Sequence, residues 1–529
     1  MIKKITPFLK NYLPLLFIIT LSGVLRFFSL GYSDYQGDEI KSLFIKEEDM
    51  SYSEFFLDQR KGPGQFFVTF ITKQLDQDYS NEFLHRFPFA IAGFFSVYFF
   101  YKLVLIYFNK KIAFYSAFFM MTNGFFVAFS RIVQYQSFTI LFMIASLYYF
   151  SLSVINKKNI YRNFFVGFIL WSFSMLFHYD GVFILPFTSY LIFLLIRNNI
   201  YKKGNYETKK VLFLSLFISG VFLLSFYLPF IINISKNTLE YWSGRVSGDV
   251  SGKVASSMYL FSVYQPIYII HFYLMLFILG IFHGLSTFIK RYIIRFKKLD
   301  RFIPEFNFKP RYFLLFTAWM LLPLIFMEIF IYIPGTHIYT YLIPLFVIIS
   351  LGINFIEIFL SSFKKFFIPG VIFYFGLFIL FLFLYLQSYS IYVDNTSEYP
   401  WEEEKFLIWN FPRPNPIYHI SIFGFPYYRN WEGIRDAILT TNNNTYYSSN
   451  ERVSITRYYI PFEKDTDKAG YYIHILAPQS FTDKIYQDKA LYWSERYRPI
   501  FTFSRNGKDL VRVYFMEKGT LNELKIKGF

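Results

Sequence analysis

Residues 366–387 read FFIPGVIFYFGLFILFLFLYLQ, a stretch without one charged side chain. A helix needs about 20 mostly apolar residues to cross the hydrocarbon core of a bilayer, and this stretch supplies them. Working outward from it, ten further runs of the same kind lie at roughly 12–30, 87–108, 112–129, 138–155, 163–177, 182–196, 211–234, 267–289, 313–332 and 338–360. The composition agrees. With 74 Phe and 46 Tyr in 529 residues and only 17% charged side chains, the chain carries more apolar bulk than one water-soluble core can hide. A cytosolic globular protein and a disordered chain are both excluded. The absence of Cys removes disulfides, thiolate metal sites and cysteine nucleophiles. The first run follows Lys3, Lys4 and Lys10 as a secretory leader would, but it is too long, lacks a small-residue cleavage site and contains Arg26. It reads as an uncleaved anchor.

Basic residues in the connections set the orientation. With the N-terminus cytoplasmic, the inner tail and loops carry 23 Lys and Arg against three acids, Glu207, Asp300 and Glu305. The first outer loop, 31–86, holds eleven acids and six bases. The net charge of +17 therefore reports topology, and no nucleic-acid partner is expected. The class expected is a polytopic α-helical membrane protein of about eleven spans, multi-pass in the cytoplasmic membrane. Residues 1–387 form the transmembrane module. An odd number of spans puts residues 388–529 outside, as a small soluble α/β domain. There, Tyr471–Leu476 alternates like a strand, Trp431–Leu439 reads as a short helix, and Asn506-Gly507 between two strand-like runs signals a two-residue hairpin.

The first outer loop is far longer than a connection requires, which points to function. Ile40, Leu43 and Phe44 recur at helical spacing, as do Phe66, Phe67, Phe70 and Ile71 after Gly62-Pro63-Gly64. Short amphipathic helices of this kind lie at the interface and roof a cavity. Gly37-Asp38-Glu39 stands just before the first of them. A carboxylate at that depth is partly desolvated, which raises its basicity and suits it to accept a proton. A solvated helical first turn would favour the same acids through its dipole.

Taken together, several motifs resemble a known family: Gly37-Asp38-Glu39, Gly62-Pro63-Gly64, His85-Arg86-Phe87-Pro88 opening the second span, and Ser130-Arg131-Ile132-Val133-Gln134-Tyr135-Gln136-Ser137 between the third and fourth. Their order and placement over roughly residues 10–360 are similar to the GT-C membrane glycosyltransferases of the protein O-mannosyltransferase and aminoarabinose-transferase type. The resemblance implies an enzyme that moves one sugar from a polyprenyl-phosphate donor to an extracytoplasmic lipid, glycan or protein, usually with inversion. It implies Asp38 as the catalytic acid/base residue, with Glu39 positioning it. Arg86 and Arg131 would face the departing lipid phosphate. Arg26 reads more readily as a residue snorkelling to the interface. Lys102 and Glu357, near the inner ends of their spans, read the same way.

The corner His178-Tyr179-Asp180-Gly181 would line the sugar pocket. In Pro334-Gly335-Thr336-His337-Ile338-Tyr339, His337 stands where such enzymes often offer a lysine to the phosphate, with Tyr339 beside it. Gln134 and Gln136 stand where many relatives carry a second acid, sometimes a metal ligand. A divalent ion prefers several carboxylate oxygens, so the resemblance allows a metal but metal independence is expected, with no other cofactor. The rival class is a transporter or flippase for a lipid-linked or small substrate. Against it stand the acidic first loop and the lack of visible inverted repeats. A non-catalytic relative that binds lipid-linked sugar is the third reading.

Overall fold

The computed structural model describes residues 2–201, 204–246, 264, 267–292, 308–362, 367–396, 398, 405–407, 409–410, 423–441, 446–465, 468–476, 478, 491 and 494–515. Among them, nine helices are long and apolar enough to cross a membrane: Glu82–Tyr107, Gln136–Val154, Ile160–Phe177, Tyr179–Tyr201, Tyr206–Ile232, Ile270–Lys290, Pro310–Phe330, Gly335–Ser361 and Ile368–Tyr392. They coincide with nine of the eleven apolar runs. The first run is helix α1 (Ile2–Phe27), apolar over Tyr12–Phe27. The run at 112–129 is not one helix. It splits into α6 (Lys110–Thr122) and α7 (Gly124–Phe129), because Asn123 adopts an extended backbone and its side chain accepts from the Phe125 N–H. An Asn that caps a new helix must end the old one.

Backbone proximity and aromatic edges hold the bundle together. Where helix Ile267–Tyr292 crosses Tyr339–Ser361, a Cβ on Gly352 would collide with the Leu276 carbonyl, and one on Gly280 with that of Ile348. Such contact substitutes for a hydrophobic drive that lipid cannot provide. Tyr107 packs edge-on against Phe187, Tyr312 and Phe316 at 5.0–5.6 Å. Glu357 is buried and bonded to Lys111 and Tyr374, so it ties helices together instead of snorkelling. Lys102 lies over the Tyr98 ring.

The first loop builds α2 (Gly37–Ile40), α3 (Tyr52–Leu57) and α4 (Gly64–Lys73). The expected helix through Phe44 stops after one turn. Leu43 and Phe44 are buried, and the Phe44 backbone is held by the Tyr79 hydroxyl. Phe44, Phe55 and Phe66 form a small core, while Phe67, Phe70 and Ile71 stay exposed on α4.

The C-terminal region forms a two-stranded pair, β1 (Lys405–Phe406) with β2 (Trp409–Asn410), and a five-stranded sheet. The latter contains β3 (Tyr446–Ser449), β4 (Glu463–Lys464), β5 (Tyr471–Ile475), β6 (Phe501–Arg505) and β7 (Lys508–Phe515), in the order β4-β3-β5-β7-β6. Strand β3 runs parallel to β4 and β5, and the other pairs are antiparallel. Arg505 pairs with Lys508 across Asn506 and Gly507, whose φ values of 51° and 77° give the expected two-residue turn. Helix Trp431–Thr440 matches the expected short helix. Tyr35 and Leu43 of the first loop, with Phe89 and Val133 of the bundle, share one apolar cluster with Trp431, Ile473 and Val511.

Gly352→Leu is expected to destabilise the bundle by about 1–3 kcal/mol or more through overpacking. Gly220→Leu, at a helical glycine with nothing within 4 Å, is expected to be tolerated. Thermal unfolding in detergent distinguishes the two.

Candidate active site

The loop that follows α1 is held by two arginines. Arg131 donates to the carbonyls of Leu25 (3.0 Å), Phe28 (2.9 Å) and Ser29 (3.1 Å). These lie at the C-terminal end of α1, where unpaired carbonyls and the helix dipole both favour a cation. Arg86, at the start of α5 (Glu82–Tyr107), donates to the carbonyls of Leu30, Ser33 and Asp34 and grips Glu39 with two bonds, Nε–Oε1 at 2.8 Å and Nη2–Oε2 at 2.9 Å. Glu39 also accepts from the backbone N–H groups of Gln36 and Val133, each at 2.9 Å. Both of its oxygens are occupied, and it has no exposed surface. The expected pair therefore divides. Glu39 is part of the frame, and the guanidiniums of Arg86 and Arg131 are taken up by that frame.

Asp38 is left open. Its side chain is 41% exposed, and its charge partner Lys41 is 3.7 Å away and itself largely in solvent. The turn carrying it is pinned from behind. Ser42 donates to the Asp38 carbonyl, the Tyr35 N–H donates to the Tyr459 hydroxyl, and Ser454 stands over Gly37.

Beside this turn lies a second group. His178 caps the corner after α9 (Ile160–Phe177) and accepts from the Asp180 N–H. Asp180 is fully buried, and its Oδ2 bonds His337 Nδ1 at 2.7 Å and the Tyr339 hydroxyl at 2.8 Å. Its Oδ1 has no hydrogen-bond donor, although His178 Nδ1 is 3.2 Å away. Burial pulls His178 down to about 4, against the supporting charge of Asp180, so its ring is neutral near pH 7 and free to accept. Tyr135 stacks on His178 with centroids 4.1 Å apart. Tyr179, half-exposed, meets Trp242 edge-on. Gln134 and Gln136 are buried, with Gln134 Nε2 and Gln136 Oε1 unpartnered.

The structure brings in cations that the sequence reading did not single out. The Lys61 ammonium lies 4.8 Å from the centre of the Tyr135 ring, and the Arg60 and Arg245 guanidiniums lie 4.2 and 5.0 Å from that of Tyr241. Burial draws Lys61 down to about 8, while the Asp38 charge acts the other way. The cause of this placement is the Gly62-Pro63-Gly64 turn. A Cβ on Gly62 would strike the Leu176 carbonyl and one on Gly64 the Phe177 ring, so only a turn this bare can press Lys61 against the His178 corner. The quoted glycines were thus the signal for Lys61, which precedes them directly. Among the described residues, His178, Asp180 and His337 are the group whose ligand atoms come close enough to hold a metal, all within 4.8 Å of one another. Asp180 has already committed one oxygen to His337 and Tyr339.

Residues 61–225 match the sequence profile of the family described as dolichyl-phosphate-mannose-protein mannosyltransferase. This bears out the resemblance to membrane glycosyltransferases. A search of curated protein sequences finds no match. Among solved structures, the chain is similar to ArnT from Cupriavidus metallidurans bound to undecaprenyl phosphate, at 10% identity and a TM-score of 0.48 over 94% of this chain and 97% of that one. It is similar to the oligosaccharyltransferase AglB from Archaeoglobus fulgidus, in complex with an inhibitory peptide and a dolichol-phosphate, at 13% identity and 0.48 over 95% and 74%. The S. cerevisiae protein O-mannosyltransferase Pmt1-Pmt2 complex bound to the sugar donor matches at 17% identity and 0.32 over 45% and 35%. Similarity at these scores carries nothing further across to this chain.

Glu39→Gln and Arg86→Met are each expected to cost about 3–5 kcal/mol, because each leaves a buried partner uncompensated. Asp38→Asn is expected to stay within about 0.5 kcal/mol of the parent. Thermal unfolding of the three purified variants checks the contrast.

Proposed function

We propose that this chain is a membrane glycosyltransferase that moves one sugar from a polyprenyl-phosphate donor to an extracytoplasmic lipid, glycan or protein acceptor, with inversion. The division of the acidic pair carries the reading. One carboxylate is locked into the frame, and its neighbour is held on a fixed turn, accessible and within electrostatic reach of the half-buried Lys61. The N-terminus lies in the cytoplasm, and the C-terminal sheet domain lies outside the cytoplasmic membrane, as the basic inner loops require.

In the reaction, Asp38 accepts the proton of the acceptor hydroxyl or amine as that group attacks the anomeric carbon. The bond from that carbon to the donor's phosphate oxygen breaks, and the electron pair leaves with the lipid phosphate. Lys61 is the first cation for that charge, with Arg60, Arg245 and His337 around it. In a partly desolvated pocket, such fixed charges are worth more than in water. Asp180 holds His337 and Tyr339 in place. His178, Tyr179, Gln134 and Gln136 bound the sugar. The donor is a monophosphate ester, so these side chains replace a divalent ion, and catalysis proceeds without metal.

A transfer assay on purified protein, with polyprenyl-phosphate-linked sugars as donors, tests this. Asp38→Asn should lower turnover by about 10²–10⁴-fold with stability unchanged, and EDTA should leave the parent's rate intact. Undiminished transfer by Asp38→Asn would remove the assignment.

The pH profile supplies a second test. Lys61 is charged below about 8 and loses its proton above that value, so donor KM should rise as pH passes through 8. Lys61→Arg keeps its charge to far higher pH and should move that limb upward, read as KM against pH.

A further inference from the structure

Three arginines are buried at the loop end of the bundle. Arg86 has Glu39, and Arg131 has the carbonyl end of α1. Arg26 has neither. It is 0% exposed, and among the described residues its side chain makes one hydrogen bond, a long 3.4 Å contact from Nη1 to the Met121 carbonyl, with no partner for Nε and Nη2. No carboxylate among the described residues offsets its charge. A guanidinium held inside a membrane bundle without a counter-charge is strongly disfavoured. The sequence expectation that Arg26 snorkels to the interface fails, because the side chain points inward.

Other groups left without a partner belong to the same part of the bundle. Ser22 lies one turn before Arg26 on α1, and its hydroxyl is buried and unpaired. Asn123, at the break between α6 and α7, has an unpaired amide nitrogen. Ser388 of the last helix donates to the Thr122 carbonyl at this same break, and its neighbour Gln387 is fully buried with both amide atoms unpaired. The free groups are almost all donors: guanidinium N–H, amide N–H and hydroxyl. A buried site rich in donors and carrying one net positive charge calls for an acceptor with one negative charge. A water molecule could accept two of these bonds, but it would leave the charge uncompensated.

We infer that Arg26 is the centre of a structural anion site, occupied by a single halide ion, that joins α1, the Asn123 break and the last helix. The ion is compact because the surrounding side chains are packed with no exposed surface. It is monovalent because one charge is left over. The site does not depend on the transfer reaction.

The test uses the purified full-length chain in detergent, moved into sodium gluconate and titrated with sodium chloride or bromide at constant ionic strength. Both halides should raise Tm saturably, by roughly 2 °C or more, and Arg26→Met should abolish the response. Should that variant fail to fold, bromide anomalous scattering from crystals of the unaltered protein should place a peak beside Arg26. A Tm indifferent to halide with no bromide peak there overturns the inference. So does a halide response that survives in Arg26→Met, or an equal rise with phosphate in place of halide.

Discussion

The bidentate pair between Arg86 and Glu39 is the constraint on which the outer end of the molecule depends. Its partners are separated by 47 positions in the chain, and neither has an exposed surface worth noting. Two charges taken out of water are tolerated only when the remaining donors and acceptors are also filled. Here they are. Arg86 spends its other hydrogens on three loop carbonyls, and Glu39 spends its lone pairs on two backbone amides. One of those amides belongs to Val133, so the pair fixes the first loop to the connection between the third and fourth apolar segments as well as to α5. Asp38 is positioned as a by-product of its neighbour's burial, and this is how a single turn supplies both an anchor and an accessible carboxylate.

The same economy appears at the His178 corner. A bare glycine turn presses Lys61 against it, and Tyr135 contributes a ring to both the ammonium and the imidazole. Positive charge is thus collected from the first loop and from helix Lys236–Val246, while the turn before the late span brings His337 onto the fully buried carboxylate of Asp180. A net positive pocket beside one open carboxylate suits a reaction in which an anion departs as a proton is taken up.

Much of this was legible in the sequence. Long unbroken apolar runs gave nine spans, and Asn506-Gly507 and Trp431–Leu439 fell where short-range rules put them, because those rules concern neighbours in the chain. The failures concern partners far apart. Nothing local says that Glu39 and not Asp38 meets Arg86, that Glu357 is bonded to Lys111, or that Arg26 points inward. Asn123 interrupts a helix within a run whose hydropathy hardly falters, so a window average passes over one side chain that caps. Lys61 could have been found from the glycines after it, had their role in close approach been read as a statement about the residue before them.

The shared apolar cluster of Tyr35, Leu43, Phe89 and Val133 with Trp431, Ile473 and Val511 bears on modular engineering. A cut near residue 388 would expose apolar surface on both fragments and leave the Asp38 turn without its backing at Tyr459 and Ser454. Chimeras that graft the sheet from one homologue onto the bundle of another must therefore transplant the matching loop as well, so loop and sheet are inherited as a single block.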